Sequence, residues 1–386
     1  MPGDRQRVET SIGRATRWLL SSGIQDLRPE SPMHGGVHAW FDTERGAHAF
    51  YYTEITGYAL TSLLFLDHIG QEPAAADHAR RAARWLITQA RDDSSGALRC
   101  RFDVDGVPTG RACSFDNGAC LNGLLNLYRL TGDQELLEAS RRIGAWLIDT
   151  MQAADGSLHS KFDLGTGVAH DPGGRWSLVS GSYLGKVAIG LANLADVTGD
   201  TRVADATRAL CEWNLAQQRP DGRFPTSPVD GGTYLHPHCY SAEGLMVAGT
   251  VLGERRWIEG AARAVGWIAS AQLPTGGFPG YYERGAFVPV ESTEMTAQTL
   301  RLWLLLPPDL RPPLDLEAAV NRIMEGQLLD GPTEALGAFT AGPAWFHGEA
   351  HDHSGKHANA WITMMALQTL SLAGSSGMDF PVFLVV

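Results

Sequence analysis

Two stretches of the chain concentrate the side chains that could move protons. His236-Pro237-His238-Cys239-Tyr240-Ser241-Ala242-Glu243 places two imidazoles and a carboxylate within two helical turns, and His347-Gly348-Glu349-Ala350-His351-Asp352-His353-Ser354-Gly355-Lys356-His357 carries four histidines. Imidazole is the side chain best matched to proton transfer near neutral pH, and an adjacent carboxylate fixes its tautomer and raises its basicity. A helix that begins near Pro237 brings both His238 and Glu243 toward its opening end, which makes them a candidate acid/base pair. In the second stretch, His with Asp or Glu at short spacing could ligate a metal. The spacing matches no strong motif such as HExxH, and the surrounding Gly and Ser indicate a solvated loop or lid, so His357 is read as the pocket residue.

Glu54, Asp116, Glu291 and Glu294 are further acid/base candidates, each just ahead of or at the start of an apolar run. Polar side chains at such positions also serve as helix caps, an ordinary role for Ser114, Asp116, Ser182 and Thr293. Capping does not call for Tyr52, Tyr183, Tyr240, Trp361 or His236. Aromatic faces cover the apolar faces of a sugar ring while carboxylates and amides, here Glu291 and Asn359, bind its hydroxyls, so carbohydrate is the expected ligand class. Lys186, three residues beyond Tyr183 in an otherwise apolar segment, either recognises a substrate carboxylate or phosphate or pairs with an acid of a neighbouring helix. Cys239 is read as a small buried residue rather than a nucleophile.

The elements that must position these groups repeat along the chain. A glutamine closing an amphipathic segment and followed by a glycine turn recurs at Gln89, Gln152, Gln218, Gln272 and Gln327, at intervals of 63, 66, 54 and 55 residues. Segments such as Val8 to Leu20, Ala76 to Thr88 and Glu135 to Met151 alternate apolar and charged positions at helical period and are half exposed. Between them lie six nearly uncharged helices, Thr53 to Leu66, Asn117 to Leu130, Ser182 to Val197, Tyr240 to Val251, Thr293 to Leu305 and Ala358 to Leu372, apolar all round and hence buried. Thr131-Gly132-Asp133 and Thr198-Gly199-Asp200 supply stops and restarts. Six outer and six inner helices in alternation predict an all-α (α/α)6 toroid with short β-hairpin-like loops. Its six inner helices open at one mouth, where the polar segments meet.

The chain has 386 residues, 31 basic against 43 acidic side chains, a net charge of −12, 44% apolar content and 44 glycines. This composition buries a large core and excludes a disordered or fibrous chain. The acidic balance argues against a nucleic-acid partner, whose phosphates call for clustered Lys and Arg. No run is long and apolar enough to span a membrane, and the polar stretch from Met1 to Arg17 lacks a signal core, so a cytoplasmic protein is expected. The five cysteines, Cys100, Cys113, Cys120, Cys211 and Cys239, show no CxxC spacing and are expected as reduced thiols. Residues 1–375 are read as one toroid. The hydrophobic tail, 376–386, is expected to cover an outer surface or the face of a second copy in a homodimer.

The alternating helices, with Leu235-His-Pro-His-Cys-Tyr-Ser-Ala-Glu243-Gly and Gly253-Glu-Arg-Arg-Trp257, resemble the (α/α)6 enzymes of the N-acylglucosamine 2-epimerase superfamily. His236 here stands where that family's segment has Asn. The resemblance implies that His238 is one proton-transfer residue and His357 the other, facing opposite sides of a carbon beside a carbonyl or carboxylate. Glu54, Asp116, Glu243 and Glu294 would then orient the histidines or bind hydroxyls. Tyr52-Thr-Glu54-Ile-Thr-Gly57-Tyr58 and His357-Ala-Asn359-Ala-Trp361 are similar to bacterial toroids encoded with polysaccharide biosynthesis genes, and Gln218-Arg-Pro-Asp-Gly222-Arg-Phe224 is similar to the repeat of squalene cyclases and prenyltransferases, whose DxDD acid is absent. The Cys and Cys-His zinc ligands of lanthionine cyclases are not evident either. The expectation is a sugar or uronic acid epimerase or isomerase needing neither metal nor redox cofactor. Glycoside hydrolysis or uronide lyase chemistry on Glu or Asp, terpene-type cyclisation and non-catalytic glycan binding are the alternatives.

Overall fold

The computed structural model describes all residues except Met1, Gln71, Val229, Pro343, His347, Gly348, Asp352, His353 and 376–379, with no account of the side chains of residues 1–4 and 343–354. Its helices are α1 (Pro2–Ser21), α2 (Thr53–His68), α3 (Ala75–Trp85), α4 (Ser114–Thr131), α5 (Gln134–Trp146), α6 (Val187–Thr198), α7 (Thr201–Ala216), α8 (Leu235–Leu252), α9 (Arg255–Ala269), α10 (Thr293–Leu305), α11 (Leu316–Glu325) and α12 (Ala360–Gly374). A π turn extends α3 over Leu86–Ala90 and another extends α5 over Leu147–Met151, while a 3-10 turn, Ser182–Lys186, leads into α6. Even-numbered helices pack side by side in sequence and α12 returns to α2, closing the inner ring; odd-numbered helices back them from outside, α1 against α12. The predicted (α/α)6 toroid is the fold. Among the described residues no helix is long and apolar enough to cross a membrane.

The inner helices touch closely because small residues line their contacts: a Cβ on Gly190 of α6 would stand 2.6 Å from the Gly118 carbonyl oxygen of α4. The outer ring is stitched by the repeated glutamines. Nε2 of Gln152 donates to the carbonyls of Gly156 and Ala206 (3.2 and 2.9 Å), that of Gln218 to Gly222 and Gly260 (2.9 and 2.8 Å), that of Gln272 to Gly276 and Asp315 (3.0 and 2.9 Å), and that of Gln327 to Gly337 and Ser11 (3.0 and 2.9 Å). Each side chain thus ties its own glycine turn to the next outer segment and satisfies two carbonyls. Gln89 departs from the pattern: it is exposed, and Gln25 makes the equivalent latch to Gly35 and His78. The expected caps form as read, with Gly132 and Gly199 left-handed and Asp133 and Asp200 accepting from the next helix's N–H groups.

Short antiparallel strands fill the connections at one end of the ring. The pairing of 40–42 with 357–359, in register Trp40 to Asn359 and Asp42 to His357, joins the first repeat to the last. The C-terminal stretch lies inside rather than outside. Asn122 and Asn126 each donate to the Phe383 carbonyl at 2.8 Å, Gln368 to that of Leu384 at 2.6 Å and Lys186 to that of Val386 at 2.9 Å, with Leu384, Val385 and Val386 buried. The end of the tail thus packs among the inner helices, where its apolar side chains are buried. The expected outer or intersubunit placement is corrected accordingly.

Candidate active site

At the opposite end, where the inner helices begin, lies a cavity of about 230 Å3. Tyr52 and Glu54 enter it from the start of α2, Phe115 and Asp116 from α4, Tyr183 from the turn before α6, His236 and Tyr240 from α8, and Trp361 from α12. Trp40, Arg101, Lys161 and Trp176 complete the wall from the connecting loops. The rings form a continuous surface. The His236 imidazole lies over Trp361 with centroids 4.7 Å apart and meets Tyr240 edge-on at 4.3 Å, Phe115 packs on Tyr240 at 4.6 Å, and Trp176 on Tyr183 at 5.0 Å. The Arg101 guanidinium sits over Phe50 and Tyr52 at 4.6 and 4.7 Å, which keeps a cation at the wall.

Protonation states follow from burial. His236 donates through Nδ1 to Gln298 Oε1 at 2.6 Å, and burial holds its pKa down to about 4, leaving a neutral imidazole with Nε2 unprotonated. Burial, reinforced by the charge of Asp116, pushes the Glu54 carboxyl up to about 7. Burial and then the Cys113 sulfur push Asp116 up to about 8, and its Oδ2 has no hydrogen-bond partner. A neutral base and proton-bearing carboxyls therefore share one aromatic-walled space.

Of the residues singled out in the sequence, Glu54, Asp116, Tyr52, Tyr183, His236, Tyr240 and Trp361 meet at this cavity. Seven others do not line it. His238 is fully buried on the other side of α8: its Nδ1 accepts from the Phe224 N–H at 3.1 Å and its Nε2 donates to the Ala264 carbonyl at 3.2 Å, so its two nitrogens tie α8 to the loop after α7 and to α9. His357 stacks on Trp40 at 4.6 Å, with Nε2 4.0 Å from Asp42. Glu243 lies beneath the cavity, buried between Lys186 at 2.7 Å and Arg301, and the Lys186 ammonium sits over Tyr240 at 4.4 Å and Tyr58 at 4.8 Å. Lys186 is thus the buried partner of a neighbouring helix's acid. Glu291 is held by Thr275 at 2.7 Å and Arg322 at 2.6 Å, Glu294 is buried at the start of α10, and Asn359 caps α12 by accepting from the Ile362 N–H. Cys239 is buried beside Thr299, its thiol pushed up to about 12 by burial, as expected for an inert cysteine. His347, Asp352 and His353 lie outside the described residues.

Sequence reasoning missed Trp40, Arg101, Lys161 and Trp176. They come from loops between outer and inner helices, where the available signal was the clustering of aromatic and basic residues after the glycine turns.

No protein-family model and no curated protein sequence matches the chain. Solved structures do. A sugar epimerase from a ruminal bacterium is similar at 13% identity over 96% of this chain and 100% of that chain, with a TM-score of 0.71. Cellobiose 2-epimerase from Bacillus thermoamylovorans B4167 is similar at 14% identity over 93% and 99%, TM-score 0.70, and an unsaturated glucuronyl hydrolase specific for heparin at 12% over 96% and 96%, TM-score 0.66. The chain has the closed double-ring fold that these epimerases and this hydrolase share.

Proposed function

We propose that this protein is a carbohydrate-active enzyme, a sugar or uronic acid epimerase or isomerase that moves a proton on and off a carbon beside a carbonyl. The observation that carries the reading is the pairing, in one cavity walled by Tyr52, Tyr183, Tyr240 and Trp361, of the neutral His236 imidazole with the Glu54 carboxyl. In this mechanism His236 Nε2 takes the carbon-bound proton, and Glu54 delivers its proton to the carbonyl oxygen as the enediol forms. Return of the proton from His236 to the neighbouring carbon gives the isomer, and delivery of a solvent proton to the opposite face, with His236 losing its own to solvent, gives the epimer; in each case Glu54 takes back a hydroxyl proton. The aromatic walls hold the ring, and Arg101 and Lys161 bind a carboxylate or the oxygens of the open chain. The fold shared with epimerases supports the reading as an analogy only.

The test is incubation in D2O with a panel of aldoses, reducing disaccharides and uronates. Carbon-bound deuterium should appear beside the carbonyl in at least one, and its rate of appearance should fall by about 100-fold or more in His236→Ala and Glu54→Gln. A second reading, cleavage of a glycoside or uronide with Glu54 as the acid, is favoured by the proximity of a second carboxyl, Asp116. Release of new reducing ends without deuterium on carbon would establish it and overturn the first.

A further inference from the structure

Behind the wall made by Asp116 and Lys161 lie two cysteines that the proposed reaction does not use. The Cys100 N–H donates to the Arg111 carbonyl at 2.9 Å and Arg99 pairs with Ala112, so positions 100 and 113 fall on the same side of two antiparallel segments, diagonally opposed. Cys113 immediately precedes α4, and the first turn of that helix carries Asp116 back over it. The two sulfurs and a carboxylate oxygen all lie within 4.8 Å of one another, and the three residues are 4%, 1% and 2% exposed. A tetrahedral ion with bonds of about 2.3 Å to sulfur and about 2.0 Å to oxygen needs its ligand atoms roughly 3.5–3.8 Å apart, which falls inside the 4.8 Å that bounds this cluster. Asp116 Oδ2 is buried and unpartnered, an acceptor left open at this point. Lys161 Nζ lies 3.2 Å from Cys113 Sγ.

We propose that Cys100, Cys113 and Asp116 form a binding site for a divalent cation of the zinc class, with Lys161 donating to the Cys113 sulfur. Charge balance argues for it: an incoming divalent ion displaces the protons of the two thiols and the carboxyl, and the three anionic ligands so formed are neutralised in this buried space by the ion together with the Lys161 ammonium. Two sulfur donors select a thiophilic ion over magnesium or calcium. Three protein ligands would leave room for a fourth, and Asp116, which also lines the cavity, is the ligand that joins the two sites. A metal here would revise the expectation that the site needs none; Asp116 and Lys161 are shared with the cavity, but cobalt absorption reads the ion without reference to the reaction proposed above. Cys120, Cys211 and Cys239, all buried, lack such a set of neighbours among the described residues.

The experiment is titration of the full chain, reduced and stripped with a chelator, with Co2+ as an optical substitute for Zn2+. One equivalent should bind and produce sulfur-to-cobalt charge-transfer absorption, and Zn2+ should displace it. Cys100→Ser and Cys113→Ser should each lose most of that absorption, Asp116→Asn should keep it but bind at least about tenfold more weakly, and Lys161→Met should weaken binding by roughly 10- to 100-fold. Cys239→Ser should behave as the wild type, and far-ultraviolet circular dichroism checks that each variant is folded. Absence of the charge-transfer band in the wild type, or its survival in Cys113→Ser, would overturn the proposal. So would a Cys100–Cys113 disulfide forming as readily with Zn2+ present as without it.

Discussion

His236 and His238 stand two positions apart at the start of α8, and their imidazoles leave it on opposite sides. The first lies over Trp361 in the cavity, and the second bridges the Phe224 amide and the Ala264 carbonyl behind the helix. Two residues advance an α-helix by about 200°, so only one of the pair can face the ring's centre.

Exchange of these two side chains should therefore have contrasting results. His236→Ala should lower deuterium exchange by about 100-fold or more with little change in melting temperature. His238→Ala leaves an amide and a carbonyl unpaired beside a new void and should cost about 2–4 kcal/mol of stability in denaturant unfolding. At a temperature where it stays folded, it should retain exchange activity.

The pH dependence of exchange should be bell-shaped. The base must be neutral, so the rate rises through the His236 pKa near 4, and the acid must hold its proton, so the rate falls through that of Glu54 near 7. The groups acting on Glu54 are Asp116, Tyr52, Arg101 and Lys186; those acting on His236 are Gln298, Lys186, Glu243 and Arg301. A rate-pH profile of the residual activity of Glu54→Gln should lack the alkaline limb.

Glu294 should make the protein less stable as pH rises. Burial pushes its carboxyl from 4.5 up to about 7, and its Oε2 is unpartnered. The folded state holds the proton more tightly than the unfolded one, so the contribution is full below about pH 4.5 and is lost as pH rises through 7. Glu294→Gln should then be up to about 3 kcal/mol more stable than the wild type at pH 8 and close to it at pH 4, as read by denaturant titration at the two pH values.

The Lys186–Glu243–Arg301 cluster should behave as structure. Removing the shared anion in Glu243→Gln leaves two buried cations facing each other and should cost roughly 3–5 kcal/mol. Lys186→Met leaves Glu243 with Arg301 and should cost less. Unfolding curves of the two variants, compared with the wild type, check the order.

The glutamine latches offer a graded control. Gln218→Ala strips two carbonyls of their donor and should cost about 1–3 kcal/mol in thermal or denaturant unfolding, whereas exposed Gln89→Ala should stay within about 0.5 kcal/mol.

The sequence by itself determined the double ring, because its signals are local: helical period in the amphipathic segments, all-round apolarity in the inner ones, Gly132 and Gly199 at helix ends, and a recurring glutamine two carbonyls wide in its reach. It also marked the end of the ring where the polar segments gather, so Glu54, Asp116, Tyr52, Tyr183, Tyr240 and Trp361 were legible there. Only the tertiary structure decided which members of those segments face inward. Helix α8 begins at Leu235, ahead of the point its apolar run suggests, and that shift of phase gives the cavity to His236 and the outer-helix contact to His238. Contacts between separate repeats, such as Glu243 with Lys186 and Arg301, Cys113 with Lys161, or the tail with Asn122 and Gln368, leave no spacing to read in the chain, since helix packing in the ring and strand pairing between its loops bring them together.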